Sequence, residues 1–266
     1  SDRPTAIRVN TEKISVDEFA EKLKKNDITV TRGMLNDTSL LISGYDYIRK
    51  VPGFFDGEFV VQDQSSCLAV KAASIQNGDL VLDVCAAPGG KTMYAAALAG
   101  PDGIVISRDL TERKTELIEE NIDRLGLKNV TVQVHDARVC DDELVGKADV
   151  VIADLPCSGL GIMGRKNDIK YHVSMDSIKE LAGLQREILE TACRYVRHGG
   201  TLVYSTCTID SLENDENAKW FAETHDFSLC SIDEVIPEHG GEKGFVTLHQ
   251  GIDECDGFFI AKFKRR

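Results

Sequence analysis

The hydrophobic and polar positions divide the chain into two patterns that meet near residue 60. The first pattern has short apolar segments separated by turn residues, with one amphipathic helix whose N-cap is Ser15. Its predicted elements are a strand at 5–9, a helix at 16–23 and strands at 28–30 and 39–42. This β-α-β-β order predicts a small α+β unit. The stretch 51–57 is rich in turn residues, so we place a domain boundary after residue 57.

The second pattern, over residues 58–266, alternates apolar strands with helices. Strands are predicted at 79–84, 104–106, 130–134, 148–153 and 201–205, and helices at 65–74, 90–98, 111–125 and 175–196. The strands are continuously apolar, as expected for a parallel sheet that is covered on both faces. The sequence therefore predicts an α/β fold: a Rossmann-like, doubly wound, mostly parallel sheet.

Composition places the chain among ordinary globular proteins, with 42% hydrophobic and 28% charged residues. No apolar run approaches the length of a membrane helix, which is roughly 18–20 residues. The eight cysteines include no CxxC pair and no Cys/His cluster at zinc spacing, so we expect no metal site. We expect reduced thiols in a cytoplasmic, monomeric protein without membrane contact.

The net charge of −13 argues against a general nucleic-acid binder. The acidic excess is uneven, however, because residues 1–60 carry nine Lys or Arg and ten Asp or Glu. A nearly neutral first unit beside an acidic second one can still present a local basic surface to a nucleic acid.

The turn after the first strand of the second pattern favours a nucleotide-like ligand. In Cys85–Thr92, small residues and two glycines precede a helix, so a ligand can approach the backbone and the free N–H groups of the helix. Asp109 ends the next strand, where a carboxylate can accept hydrogen bonds from ribose hydroxyls, and Asp136 follows the third strand. The turn is not a GxGxxG, which disfavours a nicotinamide dinucleotide.

Two cysteines follow neighbouring strands at the same predicted sheet edge. Cys157 comes after Asp154 and a proline, and Cys207 ends the segment Tyr204–Cys207. A lone Pro-Cys is more often a turn with a buried thiol, but two thiols at adjacent strand ends point to nucleophilic chemistry in a reducing compartment.

These motifs together resemble the RsmB-type (Sun family) ribosomal RNA cytosine-5 methyltransferases. The similarity rests on VQDQSS at 61–66, CAAPGGKT at 85–92, DLPCSG at 154–159, YSTC at 204–207 and DGFF at 256–259, and it spans nearly the whole chain. The resemblance implies methyl transfer from S-adenosylmethionine to carbon 5 of a cytosine in RNA, with small-subunit ribosomal RNA as the expected substrate. It also implies that residues 1–57 are an RNA-recognition-like unit.

The resemblance further implies residue roles. Cys207 would be the nucleophile and Cys157 would assist product release, while Lys91 and Asp154 would contact the target base. The expected cofactor pocket comprises Cys85, Ala86, Ala87, Pro88, Gly89, Gly90, Lys91, Asp109, Asp136 and Asp154. Three positions depart from the family pattern without removing a reactive group: Arg108, Leu155 and Asn167.

Several alternatives remain open at this point. They are a transfer RNA cytosine-5 methyltransferase, a non-catalytic ribosome-assembly factor of the same fold, a nicotinamide-dependent oxidoreductase and a DNA methyltransferase, which would use the Pro-Cys thiol as nucleophile. Candidate RNA contacts, each more often a solvated surface charge, are Arg3, Arg8, Arg49, Lys50, Arg165, Lys166 and Lys170. A basic tail is expected at Lys262, Lys264, Arg265 and Arg266, and Trp220 and Phe221 are expected on the core face of a helix.

Overall fold

The first sheet is a four-stranded antiparallel sheet with one helix packed on it. The structure, a computed structural model, describes residues 3–164, 173–237 and 239–266. The strands are β1 (Thr5–Val9), β2 (Thr29–Arg32), β3 (Ser39–Ser43) and β4 (Phe59–Val61), in the order β2-β3-β1-β4, and the helix is α1 (Val16–Lys24). Ser15 caps α1 through a reciprocal capping box with Glu18. Phe19 and Leu23 bury the apolar face of α1 against the sheet.

The second sheet has eight strands, of which five form the parallel core. Its strands are β5 (Leu80–Asp83), β6 (Ile104–Asp109), β7 (Val130–Val134), β8 (Ala148–Asp154), β9 (Val196–Thr206), β10 (Phe227–Leu229), β11 (Phe245–Leu248) and β12 (Phe258–Arg265). The order is β10-β12-β9-β8-β5-β6-β7, with β11 paired to β12. Strands β9, β8, β5, β6 and β7 run parallel, whereas β10, β11 and β12 add an antiparallel edge.

Helices cover both faces of this sheet, which confirms the predicted doubly wound α/β fold. The helices are α2 (Gln64–Ala72), α3 (Gly90–Ala99), α4 (Glu112–Leu125), α5 (Met175–Tyr195) and α6 (Asp215–Thr224). Successive strand residues point to opposite faces: Val81 packs with α2 and α3, and Leu82 packs with α5 and α6. Both faces are therefore apolar, which explains the continuously hydrophobic strands of the sequence.

Two sequence expectations need correction. Lys262, Lys264 and Arg265 do not form a tail, because they belong to β12, and Lys262 is buried with its Nζ 2.8 Å from the Ser74 hydroxyl. Arg8 is buried too, so it is neither a solvated charge nor an accessible RNA contact. Its Nε donates to Gln62 at 2.8 Å. Arg8 lies in β1 and Lys262 in β12. The sequence pattern alone does not show whether a charged side chain in a strand is buried or exposed.

The first sheet is joined to the second unit through contacts around β4. This strand begins at Phe59, two residues after the predicted boundary, and pairs with β1. Arg124 in α4 donates to the carbonyl oxygens of Phe54 at 2.8 Å and of Phe59 at 2.9 Å. In the described ranges, no helix is long and apolar enough to cross a membrane.

Candidate active site

A cleft of about 430 Å³ opens at the carboxyl ends of the parallel strands. Ligands of doubly wound sheets bind at this edge. The strand ends supply its lining, together with the side chains of Leu184 and Ile188 from α5. The predicted site residues in this lining are Cys85, Ala87, Asp109, Asp136, Asp154, Cys157 and Cys207. The structure therefore brings together chain segments that are up to 122 positions apart.

Except for Gly89, which lines neither space, the remaining predicted pocket residues line an adjoining cavity of about 170 Å³. These residues are Ala86, Pro88, Gly90 and Lys91, and they face Gln62, Asp63 and Ser66 there. Gly89 starts α3 with φ +102°, and an added Cβ would lie 2.9 Å from the Met93 Cε. A side chain at position 89 would therefore be strained as well as crowded.

Asp109 fastens the loop after β5 to the end of β6. Its Oδ2 accepts from the backbone N–H of Ala87 at 2.9 Å, and its Oδ1 accepts from the N–H of Leu110 at 2.7 Å. The Lys114 ammonium lies 2.9 Å from Oδ1. The carboxylate is buried yet lines the cleft, so it presents a fixed acceptor to a ligand there.

Asp136 is held in a defined orientation by Arg138. The guanidinium binds both carboxylate oxygens, at 3.0 and 2.7 Å, and the backbone N–H of Arg138 donates at 3.0 Å. These hydrogen bonds lower the pKa of Asp136 to about 2. Asp136 is thus a charged acceptor at the cleft wall at every physiological pH.

Asp83 is a buried acid beneath the loop that sequence reasoning did not select. Its Oδ2 accepts from the Thr92 hydroxyl at 2.7 Å, and this hydroxyl lies 2.9 Å from the Ser107 Oγ. The other oxygen, Oδ1, is buried and has no hydrogen-bond partner among the described residues. Burial raises the pKa of Asp83 to about 7. In the sequence, the only indication of this role is that Asp83 is an acid at the end of an apolar, and therefore buried, strand.

The two predicted thiols lie in contact. The Sγ atoms of Cys157 and Cys207 are 3.3 Å apart. Next to them, the Lys91 Nζ lies 2.6 Å from Asp154 Oδ2, and the Ser205 hydroxyl donates to Asp154 Oδ1 at 2.7 Å. Although burial disfavours its ammonium, Asp154 keeps the pKa of Lys91 above the ordinary value. The four predicted catalytic groups therefore form one cluster.

The contact between the thiols makes them unequal. A hydrogen bond from the Cys157 S–H lowers the pKa of Cys207 despite its burial, and Lys91 acts in the same direction. The hydrogen bond to Cys207, together with burial, raises the pKa of Cys157 well above its ordinary value. Cys207 is accordingly the thiol of the pair that loses its proton more readily, and the thiolate is the nucleophilic form.

Some predicted features lie elsewhere. Arg165, Lys166, Asn167 and Lys170 fall outside the described residues. Arg108 is buried and does not line the cleft; its guanidinium lies 2.5 Å from Asp141 and its Nε lies 2.7 Å from the Gln133 side chain. Within the ranges that the structure describes, no cluster of His, Cys, Asp or Glu could hold a metal ion.

The fold and the cleft define a Rossmann-like methyltransferase, and comparison with known proteins gives the family. A family model described as 16S rRNA methyltransferase RsmB/F matches residues 70–264. The chain belongs to this family, whose members are S-adenosylmethionine-dependent methyltransferases.

Three similar proteins illustrate the extent of the likeness. The probable ribosomal RNA small subunit methyltransferase B of Bacillus subtilis is 37% identical over 270 residues, which cover 98% of this chain and 59% of the relative. The solved structure of PH0851 has a TM-score of 0.94 at 32% identity, covering this whole chain and 60% of that one. A methyltransferase homolog protein from Pyrococcus horikoshii has a TM-score of 0.86 at 30% identity, over this whole chain and 88% of that one. The chain thus spans about three fifths of the curated relative.

Proposed function

We propose that this protein transfers a methyl group from S-adenosylmethionine to carbon 5 of a cytosine in small-subunit ribosomal RNA. The observation that carries the proposal is the pair of touching thiols beside Lys91 and Asp154, at the ligand-binding edge of the sheet. The match to the RsmB/F family and the name of the Bacillus subtilis relative, a probable small-subunit ribosomal RNA methyltransferase, support the choice of substrate.

The residues of the cleft fit S-adenosylmethionine. The volume of about 430 Å³ lies in the range of small-molecule sites. Asp109 would accept the ribose hydroxyls, Asp136 would face the adenine amino group, and Leu155 with Ile188 would pack on the adenine ring. The Asp83 Oδ1, which is buried and unpartnered within the described part of the chain, leaves an acceptor free below the loop 85–91.

The chemistry requires a strong nucleophile, because carbon 5 of cytosine cannot take a methyl group directly. The Cys207 thiolate would add to carbon 6, which turns the ring into an enamine whose carbon 5 is nucleophilic. Bound S-adenosylmethionine would supply an electrophilic methyl group. Asp154 would hold the amino edge of the base and, when protonated, donate to ring nitrogen as electrons flow in.

Completion of the reaction needs a proton to leave and a bond to break. Solvent water can accept the carbon 5 proton, and the electron pair left at carbon 5 re-forms the double bond to carbon 6 and expels the Cys207 sulfur as a thiolate. Cys157, whose thiol already lies 3.3 Å from that sulfur, would assist this elimination. The target base must be unpaired or flipped out of its helix, at a cost of about a few kcal/mol.

Residues 1–57 are proposed as the RNA-recognition-like unit, with Arg49 and Lys50 as its accessible candidate contacts. Arg49 and Lys50 are exposed, and the Lys50 Nζ lies 5.1 Å from the centre of the Tyr47 ring, which is 67% exposed. A cation beside an exposed aromatic ring suits a nucleic acid, since the ring can stack on a base.

Methyl transfer from labelled S-adenosylmethionine to unmodified small-subunit ribosomal RNA tests the proposal, with the product mapped by bisulfite sequencing. We expect a single 5-methylcytosine. Transfer to transfer RNA but not to this RNA would retain the chemistry and overturn the substrate. Binding of S-adenosylhomocysteine without transfer to any RNA would favour a non-catalytic assembly factor.

A further inference from the structure

A buried carboxylate outside the proposed reaction cluster binds the loop that carries Cys157. Glu213 lies in the segment between Cys207 and α6 and is fully buried. Its Oε2 accepts from the backbone N–H of Ser158 at 2.9 Å, and its Oε1 accepts from the Ser158 hydroxyl. Ser158 directly follows Cys157, so both contacts act on the residue next to the thiol.

The residue on the other side of Cys157 is held by the same network. The Gln185 side chain in α5 is fully buried, and its Nε2 donates to the Pro156 carbonyl at 2.9 Å and to Glu213 Oε2 at 3.0 Å. The chain is therefore fixed immediately before and immediately after Cys157. Both fixation points converge on the carboxylate of Glu213.

The network also reaches the loop of Cys207. The Ser158 hydroxyl lies 2.8 Å from the hydroxyl of Thr208, which directly follows Cys207. The backbone carbonyl of Glu213 accepts from the hydroxyl of Tyr204, three residues before Cys207. Glu213 is thus hydrogen-bonded to Ser158, which follows Cys157, and the Ser158 hydroxyl in turn contacts Thr208, which follows Cys207.

A buried carboxylate without a cation is expensive unless hydrogen bonds replace its water. Among the ion pairs of the described residues none involves Glu213, which instead accepts from three donors on Ser158 and Gln185. A neutral residue would serve packing at lower cost. A carboxylate at this position has a reason, because a charged acceptor makes stronger hydrogen bonds than a neutral one. Glu213 therefore holds the loop that carries Cys157 more firmly than a neutral side chain would.

We infer that Glu213 is a positioning residue, which holds the Cys157 thiol against Cys207 by fixing the chain on both sides of Cys157. The inference deepens the proposed function, because it assigns the residue that keeps the nucleophile paired with its hydrogen-bond donor. Glu213 itself does not line the cleft and is not proposed to touch either substrate.

The test is the pH dependence of Cys207 alkylation, followed by peptide-resolved mass spectrometry on the free protein. Glu213→Gln keeps the size of the side chain but replaces one acceptor oxygen by an amide N–H₂ group. One of the donors on Ser158 or Gln185 then meets another donor instead of an acceptor. Misplacing the Cys157 thiol removes a donor from the Cys207 thiolate, while Lys91 and Asp154 stay. We expect the alkylation midpoint to rise by about one pH unit, which is about a tenfold slower reaction below the midpoint.

Two comparisons distinguish a specific effect of Glu213 on the position of Cys157 from a general loss of protein stability. In a Cys157→Ala background, Glu213→Gln should cause no further shift, because Glu213 acts through Cys157. Phe221→Leu, in the core face of α6, should lower the thermal midpoint and leave the Cys207 midpoint unchanged. Alkylation of Cys230, far from the network in sequence and partly buried, serves as the internal standard.

An unchanged Cys207 midpoint in folded Glu213→Gln, or a full additional shift in the Cys157→Ala background, would overturn the inference. If Glu213→Gln does not fold, Ser158→Ala serves as the test variant. It deletes the hydroxyl contact with Glu213 and keeps the hydrogen bond from the backbone N–H. We then expect the Cys207 alkylation midpoint to rise, but by less than in Glu213→Gln. No shift in Ser158→Ala would then refute the inference. Because no RNA is present, these results are independent of whether methyl transfer is observed.

Discussion

Lys91 and Asp154 form an ion pair, with a distance of 2.6 Å from Nζ to Oδ2, although the two residues come from different strand–helix turns. Only 10% of the Lys91 side chain is exposed, against 30% of Asp154. The pair lies beside the thiol of Cys207, and it links the first turn of α3 to the end of β8. This ion pair joins the predicted cofactor loop to the predicted reaction centre.

Removal of the carboxylate from this pair should affect activity much more than folding. We expect Asp154→Asn to lower kcat/KM for methyl transfer by about 100-fold to 10,000-fold, the usual range for a lost acid–base group. Lys91 would lose its partner, at a cost of about 1–3 kcal/mol, because Asp154 is partly solvated. Steady-state kinetics and urea unfolding measure the two effects.

The control is Asp149→Asn, which breaks the ion pair between half-buried Asp149, at the start of β8, and exposed Arg197. It should leave kcat/KM within about twofold, because neither residue lines the cleft. Wild-type kinetics for Asp154→Asn would remove Asp154 from the mechanism.

The roles of the two thiols are separable by trapping. Cys207→Ala should abolish both methyl transfer and the covalent RNA adduct, because no other thiolate reaches carbon 6. Cys157→Ala should accumulate the adduct, because elimination slows after transfer. Denaturing gel electrophoresis with labelled RNA measures the adduct, and Cys230→Ala should behave as wild type. Adduct formation by Cys207→Ala and none by Cys157→Ala would reverse the two roles.

The sequence predicted the parallel core because its strands are buried on both faces and therefore read as apolar runs. It missed β10, β11 and β12, which form an antiparallel edge. In β12, Lys262 and Lys264 interrupt the apolar pattern. Lys264 stays exposed, whereas Lys262 is buried and contacts the Ser74 hydroxyl, which comes from a distant segment of the chain. Tertiary contacts of this kind leave no local signal.

The reactive groups were predictable because strand ends meet at one sheet edge, which places Cys157 and Cys207 together from topology alone. The difference between the pKa values of the two thiols was not predictable from the sequence. It depends on a sulfur–sulfur contact of 3.3 Å and on the position of Lys91. Glu213 was also missed. In the sequence it belongs to an acidic run, and only the fold shows that it is buried.

Asp109 should govern cofactor affinity. Asp109→Ala removes the acceptor for the ribose hydroxyls and releases the N–H groups of Ala87 and Leu110. We expect S-adenosylhomocysteine to bind about 10-fold to 100-fold more weakly, corresponding to the loss of about 1.5–3 kcal/mol for hydrogen bonds to a charged group. Isothermal titration calorimetry measures the affinity.

The matched control for Asp109→Ala is Asp102→Ala, which changes an exposed acid just before the opposite end of β6. It should bind S-adenosylhomocysteine as wild type does, and NAD should stabilise neither protein. Equal affinities in Asp109→Ala and wild type would exclude Asp109 from the cofactor site.

Asp83 should make the ligand-free protein less stable as the pH rises from about 4 to about 7. Its pKa is raised to about 7 in the fold, whereas an unfolded aspartate has a pKa of about 3.9. Between these values the folded state holds a proton that the unfolded state has lost, so the free energy of unfolding falls with pH and levels off above about 7. Asp83→Asn keeps an acceptor for Thr92 and cannot ionise, so this decline should be smaller in the variant. Urea unfolding from pH 4 to 8 measures the difference, with Asp102→Asn as the control. Parallel curves for wild type and Asp83→Asn would show that Asp83 does not retain its proton in the folded state.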